Sequence, residues 1–193
     1  MRPREFVIMF SAKTLRETLS KLIDNGVRFV IIGGTALQLE LGHRQFEGDL
    51  DLFVISPSPL SERDFYESLC EREGWELTRT EEGFMKIVIP TDEGHLEVEL
   101  YENYLDFEIP DEIIESARSV TLNGLRVKII RPEHYIILKA RQGAEVDELK
   151  GIYRKYERAF NAENVRKGLE LFPEEEREIV KRKLVRAGVL SER

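Results

Sequence analysis

Apolar residues fall along this chain in two rhythms. Over the first two thirds they come in short blocks, some alternating with polar positions and some unbroken; over the last third they recur every three or four residues. VRFVII (27–32) and DLDLFVI (49–55) predict strands, the second with Asp49 and Asp51 on one face because strand side chains alternate. WELTRT (75–80), FMKIVIP (84–90) and HLEVELY (95–101), joined by the turns EEG and TDEG, predict an antiparallel meander. SVTL and LRVKII flank Asn123-Gly124, a strong hairpin signal.

Helices are expected between and after these strands. Ser11 ahead of Leu15, Leu19, Leu22 and Ile23 predicts a capped amphipathic helix ending at Gly26. TALQLEL (35–41) predicts a short helix stopped by Gly42, and Ser61 with Asp64 opens another that runs to about Glu73. A proline-started helical turn is expected over 110–117. From Pro132 onward EHYIILKARQ, VDELKGIYRKYERAF and EEEREIVKRKLVRAG all carry helical spacing. The expected class is α/β (α+β), with an α/β domain over 1–131 and a helical region over 132–193 packed on it.

Composition narrows the function. Hydrophobic residues are 41% of the 193, enough for a core, and 34% are charged. The formal charge of −8 argues against a generic nucleic-acid coat or a polybasic membrane binder, which need surplus cations. That charge is uneven. Residues 150–193 hold 12 Lys or Arg against 8 Asp or Glu, a balance of +4, which leaves the first 149 residues at −12. The single cysteine, Cys70, has no partner for an internal disulfide, and no apolar run approaches the length of a membrane span, so a cytoplasmic protein is expected. Three Gln and five Asn beside abundant Glu, Lys and Arg suit a heat-adapted, thermophile protein.

The segment that can carry chemistry is VIIGGTALQLELGHRQFEGDLDLFV (30–54). A strand ends in Gly33-Gly34, a helix starts there, and a second strand brings in Asp49 and Asp51. Two carboxylates two apart on a strand stand roughly 6–7 Å apart and repel unless a cation lies between them. Such oxygen ligands suit Mg²⁺, which is held by one or two carboxylates together with substrate phosphates. Gly-Gly before a helix start offers backbone N–H groups and room for phosphates to approach. The parts fit a nucleoside triphosphate with its metal.

This constellation resembles the nucleotidyltransferase superfamily related to DNA polymerase β. In that family Gly-Gly or Gly-Ser opens a helix, Asp-x-Asp lies on the next strand, and a later strand brings a third carboxylate. Gly33, Gly34, Thr35, Asp49 and Asp51 match those positions, and HLEVELY offers Glu97 and Glu99 for the third carboxylate. Glu97, three residues past the TDEG turn, is favoured, but the sequence does not separate it from Glu99. The segment RPEHYIILKARQGAEVDELKGI is similar to one in abortive-infection-type and minimal nucleotidyltransferases, in which a helix carries Lys and a later Asp.

The resemblance implies a mixed, largely antiparallel sheet flanked by helices. It also implies a Mg²⁺-dependent enzyme, with Mn²⁺ as an alternative ion. Asp49, Asp51 and Glu97 would hold metal, and Glu97 or Glu99 would act as base. Gly33, Gly34 and Thr35 would receive the phosphates, Lys139 would face them, and Asp147 would orient Lys139 or close the site. The partners implied are an NTP (ATP among them) and an acceptor hydroxyl on RNA, a protein or a small molecule, with a partner protein or homo-oligomer left open. A catalytically inactive binding module, as half of a toxin–antitoxin pair, is the alternative.

Other chemistry-bearing residues read more plainly. His43, His95 and His134 follow no zinc-ligand spacing, and Cys70 reads as a small apolar residue on a helix. Arg44 lies one position further from Asp49 than the arginine of similar proteins, which weakens it as a phosphate ligand.

Overall fold

The alternating segments of the first two thirds fold into one seven-stranded mixed sheet. The computed structural model describes residues 9–104 and 108–191. Their contacts divide the chain into two compact units, Met1–Glu108 with Ser119–Ile129, and Ile109–Arg118 with Ile130–Arg193.

The first unit begins with β1 (Met9–Ser11) and α1 (Ala12–Asp24). The Ser11 side chain accepts from the Thr14 N–H at 3.2 Å, as the sequence leads one to expect, and Leu15, Leu19 and Leu22 are fully buried. Then come β2 (Arg28–Ile31), α2 (Gly33–Glu40), β3 (Gln45–Glu47), β4 (Leu50–Ser56) and α3 (Arg63–Glu73). The meander follows as β5 (Glu76–Arg79), β6 (Met85–Thr91) and β7 (Gly94–Tyr101). The hairpin of β8 (Arg118–Leu122) and β9 (Leu125–Ile129) turns at Asn123 and Gly124, both at positive φ, 45° and 84°.

The strand order is β5-β6-β7-β4-β2-β9-β8. The β5–β6, β6–β7 and β4–β2 pairs are antiparallel, while β4–β7 and β2–β9 are parallel. Period-two patterning sets which face each strand buries. Met85, Ile87 and Ile89 of β6 and Leu96, Val98 and Leu100 of β7 point into the core. Lys86, Glu97, Glu99 and Tyr101 stand half-buried on the other face.

Three local expectations need correction. The helix expected to open at Ser61 starts at Arg63 after Glu62, and the Ser61 N–H instead donates to the Ser58 hydroxyl at 3.1 Å. The helix expected over 35–41 begins two residues earlier, at the glycines. The strands β1 and β3 were not expected at all. Three residues are too few to show a period, and what holds them is a long-range pairing of Phe10 with Phe46, whose rings stack at 5.5 Å.

The second unit is helical. It holds α4 (Asp111–Glu115), α5 (Pro132–Arg141), α6 (Val146–Tyr156), α7 (Ala162–Leu169) and α8 (Glu174–Arg186). The helical run expected through Phe160 ends α6 at Tyr156, passes into a 3₁₀ turn over Glu157–Ala159, and breaks at extended Phe160. The Asn161 side chain then caps α7, accepting from the Glu163 and Asn164 N–H groups. Helix α5 is buried along most of its length, and α7 and α8 pack on it.

Candidate active site

Two strand ends and a helix start meet in the first unit. β2 runs antiparallel to β4, so the end of β2 and the glycines after it lie beside the start of β4. The Ile32 N–H donates to the Asp51 carbonyl at 2.9 Å. Thr35, fully buried in α2, donates its hydroxyl to the Asp49 carbonyl at 3.1 Å. A Cβ on Gly33 would fall 2.9 Å from Asp51 Cβ and closer still to its carboxylate, so the Asp51 side chain occupies the space that glycine leaves.

Gln38, also buried, ties the approach to Asp49. Its amide donates to the Gly34 carbonyl (3.3 Å) and the Glu47 carbonyl (3.1 Å), and its oxygen accepts from the Glu47 N–H (2.9 Å). One side chain thereby joins the first turn of α2 to the backbone two residues before Asp49. The α2 start has no side-chain cap.

On the other side β4 pairs with β7 in parallel, with Asp51 opposite Glu99. This register brings the acidic positions of both strands together. Asp49, Glu97 and Glu99 each place a carboxylate oxygen within 4.8 Å of the others. The Asp49 carboxyl is held above its ordinary range by burial and then by the charge of Glu97, against the pull of Lys86 and His95. Burial also pushes Glu99 up, partly offset by the hydrogen bond that the Tyr101 hydroxyl donates to it. Asp49 and Glu99, both held against ionisation, converge with Glu97 into a donor set whose crowding a divalent cation relieves, and three carboxylates from two strands can hold one.

Basic groups border the cluster. Lys86 of β6, opposite Glu99 in the β6–β7 register, places Nζ 2.8 Å from Glu97 Oε2. His95 Nε2 stands 3.7 Å from the other Glu97 oxygen. Tyr101 carries its hydroxyl raised well above the usual tyrosine range by burial and by the charges of Asp51 and Glu99, so it remains a donor.

Gly33, Gly34, Thr35, Asp49, Asp51, Glu97 and Glu99 thus come together in one unit. Lys139, half-buried on α5, and Asp147, exposed in the first turn of α6, both belong to the second unit. Lys86, Tyr101 and Gln38 were missed by sequence reasoning. For Lys86 a signal existed, because counting back from the TDEG turn sets Lys86 against Glu99. Gln38 gave none, since a glutamine within TALQLEL reads as an ordinary helix residue.

A sheet of this order, with carboxylates on neighbouring parallel strands and a glycine-opened helix beside them, defines a nucleotidyltransferase-like protein. Residues 11–186 match the family described as "Nucleotidyl transferase of unknown function" (DUF2204), and the chain belongs to that family. Its fold is similar to the crystal structure of an antigenic nucleotidyltransferase-like protein from Paracoccidioides brasiliensis. The two share 17% identity with a TM-score of 0.54, over 92% of this chain and 90% of that one. A solution structure of the antibiotic-resistance factor ANT(2'')-Ia aligns at 19% identity and a TM-score of 0.49, over 89% of each chain. None of the curated proteins matches in sequence. No helix among the described residues is long and apolar enough to cross a membrane.

Proposed function

We propose that this protein transfers a nucleotide from an NTP to an acceptor hydroxyl with release of pyrophosphate, in a reaction that depends on Mg²⁺ or Mn²⁺. The observation that carries the reading is the convergence of Asp49, Glu97 and Glu99, beside an Asp51 seated over Gly33, in a member of a nucleotidyl transferase family. Asp49, Asp51 and Glu97 are the residues that hold metal. When bound there, a divalent ion would supply charge neutralisation to the phosphates and greater acidity to the acceptor hydroxyl.

The chain's own groups do the rest. The backbone N–H groups at the uncapped start of α2, at Gly33 and Gly34, receive phosphate oxygens. Thr35 and Gln38 fix the backbone around Asp49. The acceptor oxygen attacks the α-phosphorus, the bond from that phosphorus to the bridging oxygen breaks, and the acceptor's proton passes to Glu99. Burial favours Glu99 for this step, because it raises that carboxyl's affinity for a proton. RNA, a protein side chain and a small molecule all offer the required hydroxyl.

The test is incubation with each α-labelled NTP and Mg²⁺ or Mn²⁺, with RNA or bulk protein as acceptor, beside Asp51→Asn. Label transferred by the wild type and lost in the variant is the expected result. Metal-dependent NTP binding without transfer to any acceptor would instead make the protein a binding module.

A further inference from the structure

Lys86 stands within the carboxylate cluster rather than on open surface. Its side chain retains 19% of its exposure, and its ammonium lies 2.8 Å from Glu97 Oε2. Its charge also acts on Asp49 and Glu99, so all three members of the cluster feel one cation. Most lysine–carboxylate pairs at a surface hold two solvated groups loosely. Here the geometry is different, because the lysine comes from a third strand whose register sets it against Glu99, and its partner is one of three carboxylates that crowd together.

We infer that Lys86 is a resident counter-cation that competes with the divalent metal for Glu97. This rests on the metal site proposed above. Like charges at this range repel, and a carboxylate oxygen engaged by an ammonium is a poorer ligand, so binding a metal through Glu97 requires Lys86 to leave that oxygen. In the metal-free protein the ammonium offsets the repulsion among Asp49, Glu97 and Glu99. Once displaced, the same ammonium is a cation on the rim of a site that takes a polyanion. Lys86 therefore lowers metal affinity before nucleotide arrives.

The test is titration of the full chain with Mn²⁺ at pH 8 without nucleotide, followed by calorimetry and by the electron paramagnetic resonance of free Mn²⁺. Lys86→Met and Lys86→Gln remove the charge, and Lys86→Arg keeps it. Both neutral variants are expected to bind Mn²⁺ about threefold tighter or more, the scale of a partly exposed charge pair, with the arginine variant close to wild type. Their melting temperatures without metal should fall and recover on adding Mn²⁺. Equal or weaker Mn²⁺ binding by folded neutral variants overturns the role of Lys86 and leaves the metal site standing. Absence of Mn²⁺ binding in the wild type and in every variant overturns the metal site itself.

Discussion

The Asp51 carboxylate lies in the space where a side chain on Gly33 would begin: a Cβ there would sit 2.7 Å from Asp51 Cγ. Gly33 also has φ +67°, a backbone conformation that side chains disfavour. Gly33→Ala must therefore displace Asp51, strain the turn, or both. The expected cost is about 1–3 kcal/mol of stability, with nucleotide transfer lost. Gly34 has only the Gln38 amide at 3.8 Å and no positive φ, so Gly34→Ala should keep stability within about 0.5 kcal/mol of wild type. Denaturant melts of both variants beside a transfer assay check the contrast, and equal damage at both positions would argue against the seating of Asp51.

Asp49 carries a charge that the folded chain holds at a cost. Its carboxyl is raised above the ordinary 3.8 by burial and by Glu97, so its ionised form destabilises the metal-free protein at neutral pH. A bound divalent ion reverses that penalty and adds the stabilisation of mass action, about 2.7 kcal/mol at a hundred times the dissociation constant. Two outcomes follow for Asp49→Asn. Its melting temperature without metal should exceed that of the wild type, and the rise that Mg²⁺ or Mn²⁺ gives the wild type should vanish. A wild-type melting temperature that ignores both ions at millimolar concentration would contradict the metal assignment.

Local order was largely legible in the sequence, and long-range pairing was not. The Ser11 cap, the meander and the Asn123-Gly124 hairpin all rest on residues close in sequence, and each formed as the pattern implies. The Asp-x-Asp spacing and the acidic rhythm of HLEVELY were likewise visible. What the sequence withheld is the parallel pairing of β4 with β7, which sets Asp51 opposite Glu99 and brings Asp49, Glu97 and Glu99 together. No turn connects those strands, so nothing local encodes their register. For the same reason β1 and β3 stayed hidden, since each is three residues long and held by the other.

Gln38 is a structural clamp whose loss should reach the site indirectly. Gln38→Leu keeps the buried volume but leaves the Glu47 N–H and C=O without the partners at 2.9 and 3.1 Å that the amide supplies. Glu47 is exposed and water can take up part of what the amide gave, so the expected loss in urea melts is that of ordinary hydrogen bonds, about 0.5–1.5 kcal/mol each. Because the loosened segment ends two residues before Asp49, Mn²⁺ affinity should drop along with stability. Gln38→Glu keeps the acceptor for the Glu47 N–H but sets a buried carboxylate oxygen against the Gly34 and Glu47 carbonyls, so it should be at least as damaging to stability as the leucine variant. A leucine variant with wild-type stability and wild-type Mn²⁺ binding would show that the clamp is dispensable.

The helical unit should carry a pH dependence of its own, centred on His134. This residue is buried on α5, and among the described residues its Nδ1 has no hydrogen-bond partner. Gly168 of α7 packs against it so closely that a Cβ there would come within 3.1 Å of the imidazole. Burial and then the nearby Arg131 push the imidazole below its ordinary 6.5, while the charge of Glu133 opposes them. The folded unit thus resists the proton that the unfolded chain accepts. Stability contributed by neutral His134 is fully present above about pH 6.5 and is lost as pH falls below it. Wild-type melting temperature should decline from pH 7.5 to 5.5, and His134→Leu, which cannot titrate and leaves no polar atom buried, should flatten that slope. An unchanged slope in the leucine variant would assign the acid sensitivity to another group.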